Sequence, residues 1–268
     1  MSDSTNPDPV LYERREPGIA LLTLNRPERL NAWNGELAAR YFELLDQAAA
    51  DPEVKVIVVT GAGKGFCAGA DMETLQGIGA TAGSGGAESA AGGRPQHYTT
   101  TVPKPVIAAV NGACAGIGMV QALMCDIRFA AAGAKFTTAF SRRGLIAEYG
   151  MSWIMPRLIG TARSMDLLFS GRVFLAEEAA AMGLVNEVVP AEHLLDRTLE
   201  YAADLAVNAS PTSMSIMKQQ VYADQTRGVA AASEDAIELM KASLRRPDFK
   251  EGVASFLQKR PPSFQPLG

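Results

Sequence analysis

Apolar residues along this chain fall into two kinds of run. The first kind is short and almost unbroken. Ile19–Leu24 ends at Asn25-Arg26-Pro27, Val54–Thr60 is a β-branched run closed by Gly61, and Val106–Val110 stands ahead of Asn111-Gly112. Such runs, without polar alternation, predict strands buried on both faces. Asp126–Ala130 and Lys135–Thr137 read as two more short strands. The second kind has helical spacing. Leu37, Tyr41, Leu44, Leu45 and Ala48 recur along one helix face, with Asn34 as N-cap and Asp51-Pro52 as stop. Met151–Leu158 has the same helical look. Strands alternating with helices predict an α/β protein. The strands are short and glycine turns follow them often, which matches a plain doubly wound sheet poorly.

From Ala191 onward the pattern turns helical, with breaks at Pro211 and Pro247. A boundary near residue 200 divides a core, residues 1–200, from a helical region, residues 201–268. Ile237, Leu239, Met240 and Leu244 form an apolar stripe that needs a partner surface. That stripe predicts a homo-oligomer built through the tail. Gly77–Gly93, GIGATAGSGGAESAAGG, has little to bury. It reads either as a disordered loop or as a mobile flap over an acyl pocket.

Charge and composition narrow the function. The 268 residues carry a net charge of −4, which argues against a general nucleic-acid binder. Two histidines, His97 and His193, cannot supply a multi-histidine metal site, and no metal is expected. Cys67, Cys114 and Cys125 have no metal spacing and read as reduced thiols in a cytoplasmic protein. The start, MSDSTNPDP, lacks the basic and apolar regions of a secretory signal, and no apolar run is long enough to span a bilayer. No membrane partner is expected.

Two glycine-containing turns carry the chemistry. Gly61–Asp71 follows the second strong strand and Asn111–Gly118 the third. Neither has the spacing of a dinucleotide fingerprint or the Gly-Lys-Ser/Thr ending of a phosphate loop. Glycine lets backbone approach a ligand and turn N–H groups toward it. A pair of such N–H groups holds an oxyanion. Read singly, each is equally a tight turn packing a helix on a sheet.

Together the turns resemble the crotonase (enoyl-CoA hydratase/isomerase) family. The matching pieces are LNRPERLNAWN (Leu24–Asn34), GKGFCAGAD (Gly63–Asp71), PKPVIAAVNGACAGIGM (Pro103–Met119), CDIRFA (Cys125–Ala130), AAMGLVNEVVP (Ala180–Pro190) and FLQKRPPSF (Phe256–Phe264). They run in the family's order over nearly the whole chain. The resemblance implies a spiral of ββα turns and a C-terminal helical region that builds trimers, often paired into hexamers. It also implies acyl thioesters of coenzyme A as substrates, with the coenzyme entering as part of the substrate and no separate cofactor. Carried over by position, the oxyanion donors are the N–H groups of Ala70 and Ile117. Arg29, Ala32, Phe66, Ala68 and Gly69 line the coenzyme site. Phe256 and Lys259 resemble the pair that reaches the adenine end, often from a neighbouring subunit.

The chain departs from the family's hydratases at two places. Where they carry the two glutamates that orient water and move a proton, this chain has Val120 and Phe140. These apolar side chains make the pocket drier and cannot activate water. One acid remains, Glu148 in FSRRGLIAEYG (Phe140–Gly150). Its segment resembles that of the family's enoyl-CoA and dienoyl-CoA isomerases and of its ring-opening isomerases of aromatic degradation. A single carboxylate suffices for a 1,3-proton shift. The alternative reading of Glu148 is an acid that favours a helix start. Asp71 and Asp126 read as caps or turn acids, Cys67 as a small buried thiol. The leading expectation is an isomerase of CoA-bound enoyl groups. The alternatives are a hydratase or hydrolase of the same family, and a catalytically weak CoA-thioester binder.

Overall fold

The computed structural model describes residues 8–71 and 93–267. The strands at the centre are those the apolar runs predict. β1 (Val10–Arg15) and β2 (Ile19–Leu24) form an antiparallel hairpin. β2 then pairs in parallel with β3 (Val56–Gly61), β3 with β5 (Val106–Val110), β5 with β7 (Ile127–Ala131), and β7 with β10 (Glu187–Val189). Every residue of β3 and β5 is buried, as expected of parallel strands covered on both faces. A second, four-stranded sheet has the order β4 (Gly65–Cys67), β6 (Ala113–Ala115), β8 (Lys135–Thr137), β9 (Phe174–Leu175). Successive strand pairs β3–β4, β5–β6 and β7–β8 put one strand in each sheet, which is the ββ part of a repeating ββα turn.

Nine α-helices complete the described residues. α1 (Gly35–Ala50) begins and ends as its caps predict: the Asn34 side chain accepts from the Leu37 N–H at 2.9 Å, and the helix stops at Asp51. Val54 and Lys55 fall outside β3, because the Val54 N–H closes a turn on Asp51 and the Lys55 N–H is spent on Gly18. β7 begins one residue after Asp126, whose carboxylate accepts the Val106 N–H at 2.8 Å. α2 (Ile117–Met124) is buried on all sides, and α3 (Met151–Ile159), α4 (Thr161–Ser170) and α5 (Ala176–Met182) lead to β10.

Residue 200 falls inside α6 (Leu194–Asn208), whose buried face Leu194, Thr198, Ala202 and Ala206 packs on the large sheet. The chain leaves that sheet at Ser210, which caps α7 (Pro211–Asp224). The helical pattern breaks at Pro211 and Pro247 as expected, each proline being the first residue of a new helix, since a first-turn position needs no N–H donor. α7 is tied to the core by Lys218. Its ammonium donates to Asp126 at 2.8 Å and to the carbonyls of Thr99 and Lys104 at 3.2 Å. α8 (Val229–Ser243) buries none of its residues, and Ile237, Met240 and Leu244 stand 45%, 53% and 48% exposed. α9 (Pro247–Gln258) closes the helical region. The glycine-rich stretch lies outside the described residues apart from Gly93. Among the described residues no helix is long and apolar enough to cross a membrane.

The loop between β2 and α1 is held by one buried amide. Asn31 sits in the left-handed region (φ 57°), 0% exposed. Its Oδ1 accepts the Arg26 N–H at 2.8 Å, and its Nδ2 donates to the carbonyls of Ala62 at 3.0 Å and Gly65 at 2.7 Å. Asn111 reaches the same turn from the other side, donating to Gly61 and Gly63 and accepting the Gly61 N–H. Replacing Asn31 by glycine keeps the left-handed backbone free of strain and removes only the bonds. The expected loss is about 2–4 kcal/mol of unfolding free energy, because buried backbone partners are left unmet. Urea denaturation of Asn31→Gly against the wild type measures it.

Candidate active site

Both glycine turns come to one place because their strands are neighbours in the small sheet. Gly65 pairs with Ala113 and Cys67 with Cys114. The backbones approach more closely than side chains permit. A Cβ built on Gly112 would stand 2.1 Å from the Lys64 carbonyl oxygen, and one on Gly118 the same distance from that of Cys67. Something must shift for any side chain at either position. Gly116, at φ 49° and ψ −121°, adopts a conformation that only glycine takes readily, and it turns the chain from β6 into α2.

This packing frees two N–H groups. The Trp33 N–H donates to Gly69 O at 2.7 Å, and the Asp71 N–H donates to Trp33 O at 2.9 Å. In a parallel bridge the residue between those two points its own N–H the other way, so Ala70 turns its donor from Trp33. Ile117 is the first residue of α2, where an N–H has no acceptor within the helix. The Gly116 N–H is already given to Thr137 O at 3.0 Å. Among the described residues, the N–H groups of Ala70 and Ile117 have no protein acceptor. The residues preceding them are adjacent: a Cβ on Gly116 would lie 4.0 Å from Gly69 Cα. The positive end of α2 adds to the attraction for an anion there.

Behind Ala70 stands an ion pair. Arg26 donates to Asp71 Oδ2 at 2.8 Å and to the Ala32 carbonyl at 2.6 Å. Asp71 is therefore a charge partner that joins the β2–α1 loop to the first turn, not a simple cap. Asp126 likewise pairs with Lys218.

The two hydratase positions carry buried apolar side chains. Val120 is fully buried on α2, and Phe140 places Cε1 4.0 Å from a Cβ built on Gly116. Glu148 lies on the loop from Phe140 to Gly150. One end of that loop abuts Gly116 through Phe140. The other abuts α2, since a Cβ on Gly150 would be 3.4 Å from Met124 Cε. Glu148 does not cap α3. Gly150 is the N-cap, and Tyr149, in the left-handed region at φ 54°, separates it from the acid. The Glu148 carboxyl is half-buried and has no side-chain hydrogen bond or ion pair among the described residues. Burial alone raises its pKa above the ordinary carboxylate range.

The other expected residues divide. Ala32 and Ala68 are partly open beside the turns, Gly69 is buried between them, and Arg29 is exposed on the loop that Asn31 holds. The Phe66 ring is 0% exposed and packs in the core. Phe256 is 82% exposed on α9 and Lys259 is exposed at its end, so this chain's own fold buries neither. All three cysteines are buried and free, and burial lifts the Cys67 and Cys125 thiols to about 12. Such thiols are not nucleophiles. His97 and His193 are exposed. Among the described residues no cluster of three or more metal-ligating side chains occurs. Arg26, Asn31 and Trp33, which set the first turn, were not marked by spacing, because their partners lie far along the chain.

Known proteins resemble this chain in sequence and fold. A family model described as enoyl-CoA hydratase/isomerase matches residues 14–266. The chain is 38% identical over 256 residues to the 1,2-epoxyphenylacetyl-CoA isomerase of Escherichia coli, covering 93% of this chain and 95% of that one. It is also 38% identical to an enoyl-CoA hydratase of Alternaria alternata, over 92% of this chain and 83% of that one. Among solved structures, an enoyl-CoA hydratase from Mycobacterium marinum is 55% identical with a TM-score of 0.70, over 82% of this chain and 100% of that one. One from Polaromonas is 33% identical with a TM-score of 0.89, over 96% and 99%. With the paired turns, the two-sheet spiral and these likenesses in agreement, the chain belongs to the enoyl-CoA hydratase/isomerase (crotonase) family.

Proposed function

We propose that this protein is an isomerase of enoyl thioesters of coenzyme A, with Glu148 as its acid–base. The observation that carries this reading is a single half-buried carboxyl, with its pKa raised, on the loop that starts at Phe140, with Val120 and Phe140 where the family's hydratases carry two glutamates. In the proposed reaction the Glu148 carboxylate takes a proton from the carbon next to the thioester carbonyl. The electron pair moves onto the carbonyl oxygen, which the N–H groups of Ala70 and Ile117 hold as an enolate. The Glu148 carboxyl then returns the proton two carbons away, and the double bond moves into conjugation. A raised pKa suits an acid that must both give and take a proton near neutral pH.

The likeness to an isomerase supports this choice, while the relatives named as hydratases favour a second reading, hydration with Glu148 alone. The same proposal takes coenzyme A as part of the substrate, with Arg29, Ala32, Ala68 and Gly69 along its path. It takes the exposed apolar residues of α8 and α9 as a surface for self-association into trimers. Phe256 and Lys259 then reach a neighbour's site.

Two outcomes are expected of Glu148→Gln. Turnover of a 3-enoyl-CoA to its 2-enoyl isomer, followed by conjugated-enoyl absorbance, should fall about 10²–10⁴-fold with thioester binding kept. Unchanged turnover removes Glu148 from the mechanism, and a 3-hydroxyacyl product from the wild type favours the hydratase reading. The second outcome concerns stability. A carboxyl whose pKa is raised by folding binds its proton more tightly in the native state. Below its unfolded value both states are protonated and the group contributes nothing. As pH rises through the unfolded and then the folded value, the unfolded chain ionises more readily and the native state is weakened. Glu148→Gln should therefore melt higher than the wild type at neutral and alkaline pH. The difference should vanish in acid, and thermal unfolding across pH measures it.

A further inference from the structure

The turn that carries Glu148 holds a residue ill suited to its backbone. The Met151 N–H donates to the Glu148 carbonyl at 2.9 Å and closes a turn with Tyr149 and Gly150 at its centre. Both central residues are left-handed, Tyr149 at φ 54° and Gly150 at φ 82°. A turn of that hand favours glycine, asparagine or aspartate at both places. Gly150 fits it. Tyr149 does not, because its Cβ crowds the carbonyl oxygen that follows. The ring offsets that cost, for Tyr149 is half-buried and packs against the hydrophobic core. Burial, and after it the Glu148 charge, raise the pKa of its phenol, so the hydroxyl lies within electrostatic reach of the acid. Gly150 rests on the end of α2, where a Cβ would lie 3.4 Å from Met124 Cε. The next residue, Met151, opens α3. Were Tyr149 right-handed, α3 could extend back through it. Glu148 would then stand at the helix start, where free N–H groups bind a carboxylate.

We propose that Tyr149 is a positioning residue: its packed ring holds a left-handed turn that α3 would otherwise absorb, and so keeps the Glu148 carboxyl free for proton transfer. This rests on the reading of Glu148 as the acid–base. It is carried by a strained backbone and a packed ring together, next to an acid with no side-chain hydrogen bond among the described residues. A residue needed only for its ring would sit in a right-handed backbone, and a residue needed only for the turn would be glycine. Strain of this kind persists where the surroundings enforce it, and it clusters at functional sites.

The test measures kcat and KM for a 3-enoyl-CoA with the full-length protein, in the wild-type and Glu148→Gln backgrounds. Tyr149→Ala keeps the strain and removes the ring. Its kcat should fall about tenfold or more with KM kept, as displacement of a reacting group requires. Tyr149→Phe restores the ring and should restore kcat. Tyr149→Gly removes ring and strain together, so its kcat should lie between those of Tyr149→Ala and the wild type. In Glu148→Gln, Tyr149→Ala should cost nothing further, because a residue that acts through another is not additive with it. A wild-type kcat or a raised KM in Tyr149→Ala overturns the proposal. So does failed rescue by phenylalanine, a glycine variant no better than the alanine one, or an equal loss in both backgrounds. If Tyr149→Ala does not fold, Tyr149→Gly decides: a loss of kcat that disappears in Glu148→Gln supports the proposal, and any other result overturns it. If Glu148→Gln itself turns over at the wild-type rate, the acid–base reading fails, and this inference with it.

Discussion

The site depends on two backbones lying closer than any side chain allows. Gly112 against the Lys64 carbonyl and Gly118 against that of Cys67 bring the two turns into contact. The order of strands in the small sheet follows from that contact, since β4 can sit beside β6 only if the residues crossing between them lack a Cβ. Everything that aims the two free N–H groups is then local: the Trp33 bridge turns Ala70, and Gly116 starts α2 at Ile117. Close-packed backbone has little freedom to relax, so these N–H groups keep fixed directions.

The surroundings of Glu148 work in the opposite direction, by leaving a group less satisfied than it could be. A carboxyl at a helix start is ordinarily stabilised by the free N–H groups there. Tyr149 and Gly150, both left-handed, keep Glu148 off that position, and no side chain repairs the loss among the described residues. The native state carries a poorly solvated acid, and this cost is of the kind that functional sites retain.

Much of the fold was legible in the sequence because its strands are buried on both faces. Val56–Gly61 and Val106–Val110 have no polar alternation to confuse with a helix, and α1 has a cap at each end. The ends of β3 and β7 were less so, because Lys55 and Asp126 are diverted by contacts with Gly18, Val106 and Lys218 that no local pattern reveals. The boundary at residue 200 fell inside α6, since a helix lying on a sheet and a helix leaving it share the same periodicity. In the site, glycine spacing and the missing glutamates were readable. The partnership of Arg26 with Asp71 was not, because a separation of 45 residues is bridged only once the β2–α1 loop folds over the first turn. Phe66 was expected along the coenzyme path with Ala68 and Gly69, yet the strand period turns its ring inward.

Lys218 has a bearing on how the molecule is put together. Its ammonium meets carbonyls of Thr99 and Lys104, just ahead of β5, and the carboxylate of Asp126, just ahead of β7. These acceptors converge only when β5 and β7 have paired. A chain with that pairing incomplete offers α7 no seat, and α8, which packs on α7 and buries nothing of its own, then has no fixed orientation. The seat of the last helices thus requires the paired sheet. Any association through them selects for chains whose catalytic core is already complete.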